Sequence, residues 1–317
     1  MVCESQVSEL APIKRVMRLM GNRFELTVIT DDLEYAETCF DAAVAEIQRI
    51  EALLTTFNEN SQTAAINRMS GIAPVVVDPE VFQLIQRANR ISELTQGAFD
   101  LSYGSVDKRF WNFDIHMTSL PDPLTAKTSV RLINYRNIML DAADGTVFLK
   151  EKGMRIGFGG IGKGYAAECA KRVLVDMGIK SGIVNAAGDL SAWGYQSNGA
   201  PWTIGIADPD SKQHPFSSFA ITDMAVATSG NYEKYATING KKYSHTIDPK
   251  TGFPVSGIKS VTIISPNAEI ADAMATPVMI MGIKHGLHLI NQIRGVHAII
   301  IDDADRLYTS QHIKLTF

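Results

Sequence analysis

The chain has 317 residues, of which 45% are hydrophobic and 20% charged, and its formal net charge is −4. This composition is typical of globular proteins, and without an excess of basic residues it argues against binding to nucleic acid or to anionic membranes. Three widely separated cysteines, Cys3, Cys39 and Cys169, form neither a disulfide framework nor a metal-ligand pattern. No run reaches the roughly 18 apolar residues of a membrane span, and no secretory signal is visible. The chain as written is therefore expected in the cytoplasm, or exported and lipid-anchored if a leading segment has been trimmed.

The first third of the chain predicts a β-hairpin followed by helices. Two strand-like runs in 13–30 are joined around Gly21-Asn22. Apolar residues at helical spacing predict a long amphipathic helix over 32–54. Asp78 followed by Pro79 is typical of an N-cap with proline at the first helical position, and this helix is predicted to end near residue 94.

The rest of the chain mixes strands and helices without strict alternation. The apolar patterns predict strands at 138–149, 202–206, 219–228, 258–264 and 297–301, and a hairpin turn at Asn239-Gly240. Helices are predicted from the glycine-rich turn near 160 to about 177, over 268–281 with a kink at Pro277, and over 285–293. This order favours an α+β fold with mixed or antiparallel sheets. Because no linker is visible, residues 1–317 are predicted to form one domain, or two subdomains in intimate contact.

A glycine-rich turn occupies the middle of the chain and reads I-G-F-G-G-I-G-K-G-Y-A-A-E over 156–168. Glycines allow a backbone to approach a ligand closely, and the N–H groups at a helix start attract phosphate. Lys163 would add a positive charge where a diphosphate could lie. The turn matches neither a P-loop nor a Rossmann fingerprint, because Gly164 follows Lys163 and the turn lies in mid-chain. Phosphate binding and close packing of a strand-to-helix turn both remain open interpretations.

The segment A-D-A-M-A-T places Asp272 and Thr276 four residues apart, on the same face of a predicted helix. A carboxylate and a hydroxyl are both oxygen donors, which suit a hard cation such as Mg²⁺. The alternative is an exposed aspartate beside a threonine that bonds to its own helix. The apolar neighbours of Asp272 favour the metal interpretation, because a carboxylate in such surroundings needs a partner.

His245 lies at a strand end, just before the tight turn D-P-K-T-G, and is the best-placed of the seven histidines for general-base chemistry. A structural or exposed histidine is the alternative. Asp189 and Asn231 lie in small-residue loops that a ligand could approach, but each is a weak signal alone.

Several stretches match motifs of one family, in order along nearly the whole chain. R-L-M-G-N (18–22) resembles a Met-Gly-Thr strand end, and T-T-F-N-E-N-S-Q-T-A-A-I-N-R (55–68) resembles a Ser-Thr-Tyr stretch. G-A-F-D (97–100) is identical, and V-N-A-A-G-D (184–189) resembles V-N-x-G-G-D. The glycine-rich turn resembles D-L-G-G/A-I-A-K-G-Y-A. A-T-S-G-N-Y, Y-S-H-T-I-D-P-K-T-G-F-P and A-D-A-M-A-T match closely. Together they resemble the FAD:protein FMN transferase family, the ApbE-like proteins.

This resemblance implies an ApbE-like, T-fold-related architecture and Mg²⁺-dependent transfer of the FMN moiety of FAD to a threonine of a target flavoprotein. A phosphoester forms and AMP is released. The resemblance implies that Asp272, Thr276 and the backbone carbonyl of Gly160 bind Mg²⁺, and that His245 takes the proton from the acceptor threonine. It implies that FAD is bound by Met20, Phe57, Ala98, Phe99, Asp100, Gly157, Lys163, Ser229 and His245.

Four positions depart from the family pattern. Gly157 and Asn231 stand where the family has aspartates, Phe57 where it has tyrosine, and Ala187 where it has glycine. Loss of acidic groups near a diphosphate site would weaken metal binding or shift the cofactor. Two other functions therefore remain as alternatives: an FAD diphosphatase that releases FMN and AMP, and a flavin-binding protein with an impaired metal site.

Overall fold

The computed structural model describes residues 11–107, 118–207, 215–230, 235–311 and 313, and within them the chain forms 15 strands and six α-helices. The helices are α1 (Leu33–Leu54), α2 (Gln62–Arg68), α3 (Pro79–Leu94), α4 (Pro123–Ser129), α5 (Gly162–Asp176) and α6 (Ala268–Ile290). None of these described helices is long and apolar enough to cross a membrane.

The strands alternate with the helices in short groups. They are β1 (Ala11–Leu19), β2 (Asn22–Thr30), β3 (Val75–Val76), β4 (Ile138–Asp141), β5 (Thr146–Leu149), β6 (Gly182–Ala186), β7 (Asp189–Trp193), β8 (Trp202–Ala207), β9 (Pro215–Ile221), β10 (Met224–Gly230), β11 (Tyr235–Ile238), β12 (Lys241–Ser244), β13 (Ile258–Ser265), β14 (His297–Asp302) and β15 (Leu307–Thr309).

Eight strands form the central sheet, in the order β1-β2-β6-β7-β10-β13-β14-β15. The described strands also form two smaller two-stranded sheets, β8-β9 and β11-β12, and one three-stranded sheet, β3-β5-β4. Each of the described strand pairs is antiparallel, with Phe24 opposite Ala186 at the junction of β2 and β6. The antiparallel sheets with packed helices confirm the predicted α+β class.

One face of the central sheet is covered by α1, α5 and α6. The N-cap of α1 is Asp32, whose carboxylate accepts a hydrogen bond from the Tyr35 amide at 2.9 Å. Ala36, Phe40 and Ile47 recur at helical spacing and are fully buried. Helix α1 therefore contributes an apolar face to the main core, as the sequence pattern predicts.

The opposite face of the sheet is covered in part by the β8-β9 hairpin. Trp202 and Phe219 from the hairpin share a second core with Val226 and Ile264 from the central sheet. All residues of β13 are buried, because this strand has packing partners on both faces.

The structure divides one predicted strand and locates the break in the last long helix. The single strand predicted over 219–228 is two strands, because the chain turns between β9 and β10 with Asp223 in the left-handed region at φ 52°. In α6 the backbone departs from helical geometry at Gly282 (φ 80°, ψ 168°), while Pro277 lies inside the helix. Gly282 lies between the helices predicted over 268–281 and 285–293, and glycine adopts this backbone conformation at low cost.

Candidate functional site

The glycine-rich turn leads directly into α5, which begins at Gly162. The turn is held to the segment before it by a hydrogen bond from the Gly157 amide to the Leu101 carbonyl, at 3.0 Å. All five glycines from Gly157 to Gly164 lie in the described part of the chain, and none of them has a positive φ. An unusual backbone conformation is therefore not what these positions require, and a Cβ would be crowded at Gly162 and Gly164 among the five.

Gly164 is the position where space matters most. A Cβ atom there would overlap the carbonyl oxygen of Ala268 and would lie 2.7 Å from Cβ of Asp272. Helices α5 and α6 are thus in direct backbone contact at this glycine. The contact brings Lys163, the preceding residue, to the face of α6 that carries Asp272.

Lys163 lies between two buried carboxylates. Its ammonium makes a close ion pair with Asp189, and its Nζ atom is 3.6 Å from Oδ1 of Asp272. The other oxygen of Asp272, Oδ2, accepts a hydrogen bond from the Gly164 amide at 2.9 Å. The side chains of Asp189 and Asp272 are 7% and 8% exposed, so the three charges interact in a region with little solvent.

The electrostatics of this group follow from burial. Burial, followed by repulsion from Asp189, raises the pKa of Asp272 to about 7. Burial also raises the pKa of Asp189, although Lys163 acts in the opposite direction. Burial alone would lower the pKa of Lys163, but attraction to Asp272 and Asp189 raises it overall. With both carboxylates ionised, the single ammonium leaves this group with a net negative charge, which attracts a further cation.

Side-chain oxygen donors for a cation lie along α6 and on the adjacent strand, and the family resemblance adds the backbone carbonyl of Gly160. Thr276 lies one turn further along α6, and its hydroxyl oxygen is 3.4 Å from that of Ser229 on β10. Gly160 lies in the turn before α5, where a Cβ would be 3.6 Å from the ring of Phe99. A carboxylate, hydroxyl groups and a backbone carbonyl are the ligands that Mg²⁺ prefers. The donor set and the unbalanced buried charge both fit this cation.

The predicted FAD-binding segment 98–100 lies against the turn. Ala98 and Phe99 are buried. The Asp100 carboxylate accepts hydrogen bonds from the Ser102 amide and hydroxyl and from the Tyr135 amide, at 2.8, 2.6 and 2.7 Å. These bonds engage both carboxylate oxygens of Asp100, which therefore fix the backbone conformation of this segment.

Met20 and Phe57 lie on other sides of the glycine-rich turn. Met20 lies in the turn between β1 and β2 with φ 50°, and its Cε atom is 3.8 Å from the position of a Cβ at Gly162. Phe57 is 98% exposed and follows Thr56, whose Cγ2 is 3.9 Å from a Cβ placed at Gly157. A fully exposed aromatic ring beside the turn is available to stack on a planar ligand.

His245 is exposed directly after β12, at the start of a loop fixed to the rest of the site. The Ile247 amide donates to the hydroxyl of Tyr103 at 2.9 Å, and Tyr103 belongs to the 3₁₀ turn that follows Asp100. Gly252, at φ 78°, lies so close to Ala126 that a Cβ would overlap its carbonyl. The loop that begins at His245 is therefore held in place by contacts with two other segments of the chain.

The structure gives Asp189 a role that its position in a small-residue loop does not indicate. Its carboxylate pairs with Lys163, and the sequence does not predict this ion pair. The sequence signal for Asp189 is a carboxylate at the end of a small-residue turn. The lysine with which it pairs lies 26 positions earlier in the chain. Asn231 lies outside the described residues.

Known proteins resemble this chain over most of its length. The model of the ApbE family matches residues 20–300. A protein from Treponema pallidum, named FAD:protein FMN transferase, is 32% identical over 282 residues, which are 84% of this chain and 78% of that protein. A protein of the same name from Klebsiella pneumoniae is 31% identical over 301 residues, covering 94% of this chain and 92% of its own.

Two solved structures of ApbE proteins have folds similar to that of this chain. An ApbE protein from Thermotoga maritima is 29% identical, with a TM-score of 0.84 over 95% of this chain and 97% of its own. The apo form of a flavinyl transferase ApbE from Pseudomonas stutzeri has a TM-score of 0.83 at 23% identity and covers 97% of both chains. The second likeness concerns the fold alone.

Proposed function

Because the chain belongs to the ApbE family, we propose that it transfers the FMN moiety of FAD to a threonine of a protein acceptor and releases AMP. Relatives named FAD:protein FMN transferase, at 31–32% identity over most of both chains, support the activity. The observation that carries the proposal is the charged group at the start of α5, where Lys163 meets the buried Asp272 beside a glycine-rich turn. Such an arrangement suits a diphosphate with a bound cation.

Mg²⁺ would be held by the Asp272 carboxylate, the Thr276 hydroxyl and the Gly160 carbonyl. When bound, it supplies positive charge that neutralises the diphosphate oxygens. The oxygen donors and the unbalanced charge of the two carboxylates support this assignment.

Lys163 and the turn would bind the diphosphate of FAD. An ammonium gives a charge-assisted contact to phosphate, and the amides at the start of α5 add the positive end of the helix dipole. Phe57, Met20 and the 98–100 segment surround the same turn and would contact the rest of FAD, with Ser229 beside the cation ligands. The exposed ring of Phe57 supports a stacking role.

The transfer step joins the acceptor to phosphorus. The threonine oxygen forms a bond to the phosphorus of the FMN half, the bond from that phosphorus to the oxygen of AMP breaks, and AMP leaves with the electron pair. His245 would take the proton of the threonine hydroxyl, which is a poor nucleophile without a base. The side chain of His245 is exposed on a loop with a fixed position, which supports contact with a macromolecular acceptor.

A single incubation separates transfer from the two alternatives. The protein is mixed with FAD, Mg²⁺ and a candidate acceptor, and in parallel with the same acceptor carrying alanine at its threonine. AMP with a flavin-labelled acceptor, lost in the alanine variant, is expected. AMP with free FMN would indicate a diphosphatase, and intact FAD would indicate a binding protein.

His245→Asn is predicted to slow single-turnover labelling of the acceptor by roughly 10²–10⁴-fold, because a general base contributes about that factor. FAD binding, measured by flavin fluorescence, should stay near that of the unmodified protein. His285→Asn, at an exposed position of α6, is the matched control and should leave both quantities unchanged. Labelling at the original rate would assign the base to another group, and loss of FAD binding would make His245 a cofactor ligand.

A further inference from the structure

The ammonium of Lys163 is divided unequally between two carboxylates. It pairs closely with Asp189, whereas its Nζ atom is 3.6 Å from Oδ1 of Asp272. Among the described residues these are the two carboxylates within ion-pair distance of Lys163. The ammonium therefore lies closer to Asp189 than to Asp272.

Asp189 is held in place by the sheet. It is the first residue of β7 and follows a turn in which Gly188 has φ 101°. The Gly188 amide donates to Oδ1 of Asn185 at 2.8 Å, and the Thr228 amide on the neighbouring strand β10 donates to the Asp189 carboxylate. The carboxylate therefore has a fixed position from which it draws the lysine towards β7.

The two carboxylate oxygens of Asp272 have different neighbours. Its Oδ2 atom is bonded to the Gly164 amide, and its Oδ1 atom faces Lys163. An ammonium that moved fully onto Oδ1 would occupy the side of the carboxylate that a metal ion needs. A cation and an ammonium compete for the same oxygen, because both are attracted to it and repel each other.

We propose that Asp189 is a positioning residue, which holds the Lys163 ammonium away from Asp272 and so leaves Oδ1 of Asp272 to the divalent cation. The proposal rests on the proposed function, since it takes Asp272 as a ligand of that cation. Asp189 needs no contact with the cation for this role. Its effect passes through Lys163, which makes the two residues interdependent.

The test is a double-mutant cycle on metal binding alone. Metal-free protein is titrated with Mn²⁺, and the free ion is followed by electron paramagnetic resonance, without FAD or acceptor. Asp189→Asn should weaken Mn²⁺ binding at least tenfold, because Lys163 then pairs with Asp272. In a Lys163→Met background the same change should cost less than threefold, since no competing ammonium remains.

Two further variants complete the design. Lys163→Met alone should strengthen Mn²⁺ binding severalfold, and this arm does not depend on whether Asp189→Asn folds. Asp176→Asn removes an exposed carboxylate at the far end of α5, and it should leave Mn²⁺ affinity within about twofold.

The outcomes separate this inference from the function on which it rests. Equal losses from Asp189→Asn in both backgrounds, or no gain from Lys163→Met, would overturn the positioning role. If Asp272→Asn leaves Mn²⁺ binding intact, the proposed cation site itself fails. If Asp272→Asn abolishes binding while Asp189→Asn has no effect, only the positioning role is lost.

Discussion

At the scale of single residues, Ala187 adopts a backbone conformation that suits glycine better. It is exposed, and its φ of 57° lies in the left-handed region. A non-glycine residue in this region destabilises the folded state by about 1–2 kcal/mol. Replacing it with glycine removes this strain, but the greater conformational freedom of glycine in the unfolded chain offsets part of the gain.

Ala187→Gly is therefore predicted to raise the free energy of unfolding by about 0.5–1 kcal/mol, measured by urea denaturation. Ala143→Gly is the control, because Ala143 is also exposed but has no positive φ. That variant should lose stability by a similar amount. A loss in both variants would mean that the strain at Ala187 is not released by glycine.

Gly157 is a second residue whose side chain can be changed without crowding. The nearest atom to a Cβ at this position is Cγ2 of Thr56, at 3.9 Å, and its φ is not positive. An aspartate would therefore fit. It would add a negative charge to the turn that precedes Lys163.

Gly157→Asp is predicted to strengthen Mg²⁺ binding about threefold or more, measured by calorimetry, with the melting temperature nearly unchanged. Attraction between the added carboxylate and the cation is the reason. Gly157→Ala fills the same space without charge and should leave Mg²⁺ affinity as it is. An equal change in both variants would assign the effect to shape.

At the scale of secondary-structure elements, the contact of α5 with α6 fixes the geometry of the charged group. Gly164 is the contact point, and Glu168 adds a second tie by accepting a hydrogen bond from the Ala268 amide at 3.0 Å. A side chain at residue 164 would push the start of α6, and Asp272 with it, away from Lys163.

Gly164→Ala is predicted to lower the free energy of unfolding by about 1–3 kcal/mol, because overpacking of a close contact costs that much. Mg²⁺ affinity, measured by calorimetry on the folded fraction, should fall as well. Gly159→Ala is the matched control in the same turn, since a Cβ there meets open space. If the two variants are equally stable, the helices are not held together at residue 164.

The helices with strong local signals were predictable from sequence. Asp32 and Asp78 cap α1 and α3 as their residue types indicate, and α5 begins at the glycine-rich turn. The break in α6 falls at Gly282, between the helices that the apolar patterns predict over 268–281 and 285–293. Pro277 lies inside the helix, because packing around a buried helix retains it although the proline removes one hydrogen bond.

At the scale of the whole molecule, the buried carboxylates make stability depend on pH. Asp272 has a folded-state pKa of about 7, raised from 3.8. Between these values the native protein retains a proton that the unfolded chain loses. The stabilisation is present below about pH 4 and is lost as pH rises through about 7.

For metal-free protein, the free energy of unfolding should fall by roughly 1 kcal/mol per pH unit from this group between pH 5 and 7. Urea denaturation at several pH values measures it. Asp272→Asn should flatten the profile in part, because the pKa of Asp189 is raised in the same direction. A profile with the same slope in the variant would place the titration elsewhere.

The individual residues of the candidate site were predictable from the sequence, but the contacts between them were not. Lys163, Asp272 and His245 each have a local signal, from the glycine-rich turn, the apolar helix and the strand end. The pairing of Lys163 with Asp189 depends on β7 lying beside β10 in the central sheet, over the start of α5. No short sequence window contains that arrangement, because it is set by strand pairing between distant segments.

The order of the central sheet also affects how the chain is made. Strand β2 ends at Thr30, but its inner neighbour β6 spans Gly182–Ala186. At ribosomal rates of about 5–20 residues per second, roughly 8–30 s separate the synthesis of these two strands. During that time the apolar faces of β2 and α1 lack the sheet that later covers them. Slow translation through this interval lengthens the exposure of the nascent chain to aggregation.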